Sequence, residues 1–129
     1  MDPSELAAIG LFADLSPEDL AAIAAEARLE RHPTGYVLAE QDDIPTKFFV
    51  LISGSVTVDR DGSHVVDLGP GDFFGEVGVL SLENRNASVI ATTPIEVAVM
   101  MGWSLRELMD RQPELAGRLQ TAAAARSTG

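Results

Sequence analysis

Phe73-Phe74-Gly75-Glu76-Val77-Gly78-Val79-Leu80, continued after Ser81 to Asn84 by Arg85-Asn86-Ala87-Ser88-Val89, is the stretch on which the reading of this chain turns. It places one carboxylate and one guanidinium around a glycine-flanked turn. The order is glycine, acid, a short apolar helical turn, a polar loop, then arginine at the mouth of a strand-like run. Backbone N–H groups at the start of a short helix, together with an arginine fork, can hold an anionic phosphate, while a carboxylate accepts from sugar hydroxyls. Gly75 and Gly78 permit close backbone approach to such a phosphate, although either glycine alone is equally a turn residue. Glu76 alone is favoured by a helix macrodipole with or without a ligand, and a lone arginine is more often a solvated ion-pair partner. The conjunction at this spacing favours a sugar-phosphate site.

Composition sets the frame around that stretch. A chain of 129 residues fits one domain spanning 1–129, and a domain of this size buries about two-thirds of its unfolded surface. Neither a run of about 18 apolar residues nor a basic start followed by an apolar stretch is present, so a soluble, cytoplasmic protein without membrane insertion is expected. Zero cysteines exclude disulfides, thiolate metal sites and a cysteine nucleophile. The net charge of −11, with nine scattered Lys and Arg, argues against nucleic acid as a partner, because neutralising phosphates takes clustered basic residues.

Along the chain, helical signals bracket a strand-rich middle. Asp2-Pro3 and Ser16-Pro17-Glu18-Asp19 each offer an N-cap followed by proline, predicting helices over 3–9 and 17–27. Leu20, Ile23, Ala24 and Ala27 form one apolar stripe, with Phe12 and Leu15 as core plugs before it. Short apolar runs separated by breakers predict strands at 28–32, 36–40, 47–53, 55–60, 64–68, 87–93 and 95–101, a sandwich or barrel. Asp61-Gly62 between Val-rich runs is a hairpin signal, and Gly54 marks a turn or bulge. Phe48, Val50 and Ile52 alternate with Phe49 and Leu51, two apolar faces as in a strand buried on both sides. Helices return at 104–111 and 113–126, and Arg118 and Arg126 on the last of them read as solvated.

The glycine–acid–arginine stretch closely resembles the phosphate-binding cassette of cyclic nucleotide-binding domains, F-G-E-[LIV]-[AG]-[LIV]-[LIV], a variable loop, then R-x-A-[ST]-V. Matching landmarks run through most of the chain: Leu11-Phe12, Gly35-Tyr36-Val37-Leu38, Phe48 to Val58 and Gly71-Asp72-Phe73-Phe74-Gly75-Glu76. The chain departs from the family's usual loops at Asp42-Asp43, where Gly-Asp is common, and at Asn84, where proline is common. The resemblance is to the cyclic AMP-binding domains of catabolite-activator-type regulators and protein kinase A regulatory subunits. It implies an α+β, mainly β fold: a small β jelly-roll barrel at 28–101 between N-terminal helices in 1–27 and C-terminal hinge and lid helices in 104–126. It further implies a ligand, cyclic AMP or, as second choice, cyclic GMP, held in a cassette over 74–88 by Phe74, Gly75, Glu76, Val77, Gly78, Arg85, Asn86, Ala87 and Ser88. By the same resemblance, Val79 or Leu80 would pack against Leu105, Leu108 and Met109 and pass ligand binding to the last helix.

Other readings are weaker. A metal-dependent enzyme on a jelly roll needs several converging His and carboxylate ligands, and His32 and His64 fall on different predicted strands, where solvated positions are expected. The expectation is therefore no catalytic activity, no metal and no cofactor beyond the nucleotide. A ligand-free interaction module of the same fold is the alternative, against which the joint presence of Glu76 and Arg85 speaks. Trp103, between the last strand and a helix, is expected to pack the hinge, with stacking on a purine as the second reading. Leu115 and Leu119 are followed only by alanines, too little for a zipper, so a monomer or weak dimer is expected, with any effector domain or protein outside this chain.

Overall fold

The fold is built around paired strands that are buried on both faces. In the computed structural model, which describes residues 2–42, 46–76 and 87–128 and side chains through 125, β3 (Lys47–Ser53) has four consecutive buried residues, Phe48 to Leu51. Successive side chains on a strand point to opposite sides, so such a run requires cover on both. Phe48 and Val50 face a helical layer, packing with Phe12, Ile23, Leu105, Leu108, Leu115 and Leu119 among others. Phe49 and Leu51 face the other way, into an interior shared with Val56, Phe74, Val89, Ala91, Val97 and Val99.

Two four-stranded antiparallel sheets enclose that interior. The first runs β1 (Arg28–His32), β8 (Ile95–Met101), β3, β6 (Phe73–Phe74); the second runs β2 (Val37–Ala39), β7 (Ser88–Ala91), β4 (Val56–Arg60), β5 (Ser63–Leu68). Strand ranges 28–32, 47–53 and 95–101 agree with expectation, while the two-residue β6 was absent from the expected set. The paired Gly71 N–H to Leu51 carbonyl and Leu51 N–H to Asp72 carbonyl bonds, both 2.8 Å, hold β6 against β3.

The first sheet carries the helices. α1 (Pro3–Ala7) is capped by Asp2, and α2 (Pro17–Glu26) by Ser16, whose hydroxyl accepts from the Asp19 N–H. A 3-10 turn (Gly10–Phe12) lies between them. At the other end α3 (Gly102–Arg111) and α4 (Pro113–Thr128) bury Leu105, Leu108, Leu115 and Leu119 in the same core. Two expectations about these helices are corrected. Arg118 is not solvated: its Nη1 donates to the Leu11 and Ala13 carbonyls, each at 2.8 Å, filling acceptors left at the end of the 3-10 turn. Trp103 does not pack the hinge; it is 60% exposed, because Ser104, Leu105 and Leu108 occupy the inward face of α3.

Candidate functional site

The two ends of the expected cassette lie in different sheets. Phe74 ends β6 at the edge of the first sheet, its ring stacked 4.9 Å from that of Phe49, and Val89 lies in β7 within the second; both belong to the interior core. The chain between them therefore passes from one sheet to the other. Gly75 opens the crossing at φ 95°, a left-handed value that side-chain-bearing residues rarely adopt, so a glycine is required there. Glu76 follows, only 1% exposed and the one carboxylate among the buried polar residues described. Ionised carboxylates are seldom placed at such depth without a function or a strong set of partners. Since Phe49 pairs with Phe74 and the strands are antiparallel, Glu76 leaves the sheet toward its Lys47 end, where Gly102 N–H bonds the Thr46 carbonyl and α3 begins.

On the far side of the crossing, Ala87 is buried and Ser88 begins β7, its Oγ accepting the Gln41 N–H at 2.9 Å. Val77, Gly78, Arg85 and Asn86, with Val79 and Leu80, lie outside the described residues. Gln41, beside the site, was not singled out from the sequence. Gln41 and Asp61 bond each other twice across 20 residues of chain, a non-local pairing with no short-range signature. Asp42, at φ 73°, occupies the place where the resembled family commonly has glycine, which explains that glycine as a left-handed position.

The remaining candidates separate. His32 is on β1 and His64 on β5, in different sheets, so the two histidines do not converge. His64 is exposed and pairs with Asp67 at 2.9 Å. His32, expected to be solvated, is half-buried: it bonds Glu30 at 2.9 Å and stacks on Tyr36 at 3.7 Å, joining β1 to the segment before β2. Among the described residues no helix is long and apolar enough to cross a membrane.

Comparison with known proteins gives one answer. Residues 29–112 match the family model of the cyclic nucleotide-binding domain. A cyclic nucleotide-gated potassium channel of Rhizobium etli is 31% identical over 96% of this chain, and a CRP-like cAMP-activated global transcriptional regulator of Mycobacterium tuberculosis 26% over 94%. The chain spans 35% of the former's length and 56% of the latter's. Among solved structures, a putative cyclic nucleotide-binding protein from Geobacter metallireducens superposes with a TM-score of 0.84 at 28% identity, covering 97% of this chain and 94% of that one. The Thermus thermophilus catabolite activator protein superposes at 0.81, also at 28% identity, covering 92% of this chain and 58% of that one. These are the fold and family that the Gly75-Glu76 to Arg85 stretch implied, and the chain belongs to the cyclic nucleotide-binding domain family.

Proposed function

We propose that this chain is a non-enzymatic cyclic AMP sensor, in which the nucleotide seats in the crossing between the sheets. Gly75, Val77 and Gly78 would offer backbone N–H groups to the cyclic phosphate, Arg85 its guanidinium, and Glu76 a carboxylate to the ribose 2′-hydroxyl. Phe74 and Ala87 would wall the cradle and Asn86 would add a backbone N–H. The observation that carries the reading is Glu76: a carboxylate 1% exposed, directly after a left-handed glycine, at the point where the chain leaves one sheet for the other. Adenine over guanine is favoured by Asn86, since threonine after the arginine often accompanies guanine preference in the family. Relatives with cAMP in their names agree, among them a cAMP-dependent protein kinase regulatory subunit of Neurospora crassa, 32% identical over 76% of this chain.

Signalling is by population shift: the ligand favours the arrangement in which cassette and Arg85 converge, by as much as its affinity for the two arrangements differs. The route runs from Val79 and Leu80 to α3, whose Leu105 and Leu108 are buried beneath the helices, and on to α4. The output belongs to an effector domain or protein in the cytoplasm. Calorimetric titration with cyclic AMP, cyclic GMP and linear AMP tests the reading. Cyclic AMP should bind most tightly and linear AMP least, because the linear phosphate brings nearly one more negative charge into a chain of net charge −11. Absence of heat with both cyclic nucleotides would leave the ligand-free interaction module.

A further inference from the structure

We infer that Asp61-Gly62 is a site of spontaneous isoaspartate formation and that the side-chain amide of Gln41 is its guard; neither statement depends on the nucleotide reading above. An aspartate followed by glycine is the step most open to this chemistry, because no side chain on the second residue hinders attack by its nitrogen. Asp61-Gly62 is the one Asp-Gly step of the chain, which has no Asn-Gly step. Both residues are exposed, and beyond its chain neighbours no described atom lies within 4 Å of where a Gly62 Cβ would stand, so water reaches the pair.

In the reaction the Gly62 nitrogen attacks the carbon of the protonated Asp61 side-chain carboxyl. The carboxyl hydroxyl leaves as water with the proton lost from nitrogen, and a five-membered cyclic imide remains. Water then adds to one of the two imide carbonyls. Addition at the side-chain carbonyl restores aspartate; addition at the backbone carbonyl leaves the main chain running through the side chain, as isoaspartate. One water leaves and one enters, with no oxidant or reductant. The isomer puts an extra carbon into a two-residue turn in which Asp61, at φ 54°, and Gly62, at φ 79°, set the pairing of Arg60 with Ser63. Since the turn fixes the register of β4 with β5, the insertion undoes it.

Gln41 opposes the first step. Its Oε1 accepts the Asp61 N–H and its Nε2 donates to Asp61 Oδ1, both at 2.8 Å. The amide therefore draws the carboxylate toward the residue's own N–H, on the side away from the Gly62 nitrogen that has to reach it. Attack requires the bond to Nε2 to break and the carboxyl to swing across, while the bond from the Asp61 N–H holds the left-handed backbone in place. The Gln41 main chain is anchored elsewhere, its N–H donating to Ser88 Oγ at 2.9 Å, so the guard belongs to a different segment from the turn it restrains.

The test is incubation of the full chain at neutral pH and physiological temperature, with isoaspartate located by peptide mapping and electron-transfer fragmentation, which separates the isomers although their masses are equal. The synthetic peptide of residues 59–65 gives the unrestrained rate. Gln41→Met should speed isomerisation at Asp61 about five- to a hundredfold over the parent, the worth of two hydrogen bonds, and leave Asp67 unchanged. Gly62→Ala added to Gln41→Met should remove most of that increase. Arg118→Ala, which loosens the helical layer on the other sheet, should leave Asp61 at the parental rate. Should Gln41→Met fail to fold, Gln41→Asn withdraws the amide from Asp61 with less change of polarity and carries the same expectation. If neither Gln41 variant isomerises faster than the parent, or if Arg118→Ala accelerates Asp61 as much, the fold at large protects the turn and Gln41 is no guard. A parent as fast as the peptide, or a peptide that does not isomerise, overturns the inference outright.

Discussion

The two sheets of this barrel are built from different kinds of strand. In β3 and β8 burial is nearly continuous, because helices cover the outer face and the interior covers the other. In β7 it alternates, and in β5 nearly every residue is exposed, since among the described residues the helices pack on the first sheet. Val65 and Val66 of β5 are 47% and 44% exposed, whereas Phe48 and Leu51 of β3 are 1% and 0%. One sheet is thus a platform that unites helices and barrel; the other is a single-sided cover. On the proposed function the cradle belongs to the chain joining them, and the contribution of Arg85 to ligand binding is expected to be separable from the stability of either sheet.

The largest effect should come from breaking the platform. Phe48→Ala should cost about 3–5 kcal/mol in denaturant unfolding, while Val66→Ala in β5 should stay within about 0.5 kcal/mol. Similar losses at both would mean that the sheets do not differ as described. Next, on the proposed function, Arg85→Ala should weaken cyclic AMP binding by roughly 30- to 1000-fold with an unfolding midpoint close to the parent's, since it would remove a charge-assisted contact to the phosphate. A large loss of stability with affinity retained would place this arginine in the scaffold. Arg118→Ala should cost about 1–3 kcal/mol through the two carbonyls it leaves unsatisfied, and Arg111→Ala, in an exposed 4.0 Å ion pair with Glu107, much less. Amide exchange around Leu11 to Leu15 should quicken only in the first variant.

The smallest effect concerns the edge of the platform. Burial pushes the Glu30 carboxyl up, but hydrogen bonds from His32 and Arg28, with the charges of Arg28 and Lys47, outweigh it and hold the group below the usual carboxylate range. Stability from this source is present above the unfolded-state value and is lost as pH falls through the folded-state value. Glu30→Gln should therefore flatten the stability profile below about pH 5 and leave the profile above neutrality parallel to the parent's. Unaltered acid sensitivity would show that the His32–Glu30–Arg28 cluster contributes nothing to it.

What was legible in the sequence follows the same division. Strands of the platform announced themselves by length and apolarity, and the 28–32, 47–53 and 95–101 ranges needed no adjustment. β6 did not, because two residues carry no period. The motif pointed to the family because its groups lie close together in the chain; that Gly75 is left-handed is a finding of the structure. Arg118 was misjudged because its acceptors, Leu11 and Ala13, are 107 and 105 residues away and are backbone atoms that no sequence pattern marks. The Gln41 contacts to Asp61 and Ser88, at separations of 20 and 47, were hidden for the same reason.

Trp103 is the sole tryptophan of the chain and stands 60% exposed on the first turn of α3, at the joint between barrel and hinge. The molecule consequently carries its own optical reporter at the position where ligand binding would be relayed. Its emission in the unliganded protein should be red-shifted and open to quenching by acrylamide, without background from any other indole. A change in quenching on nucleotide addition would follow the hinge in real time, with no dye and no engineered cysteine.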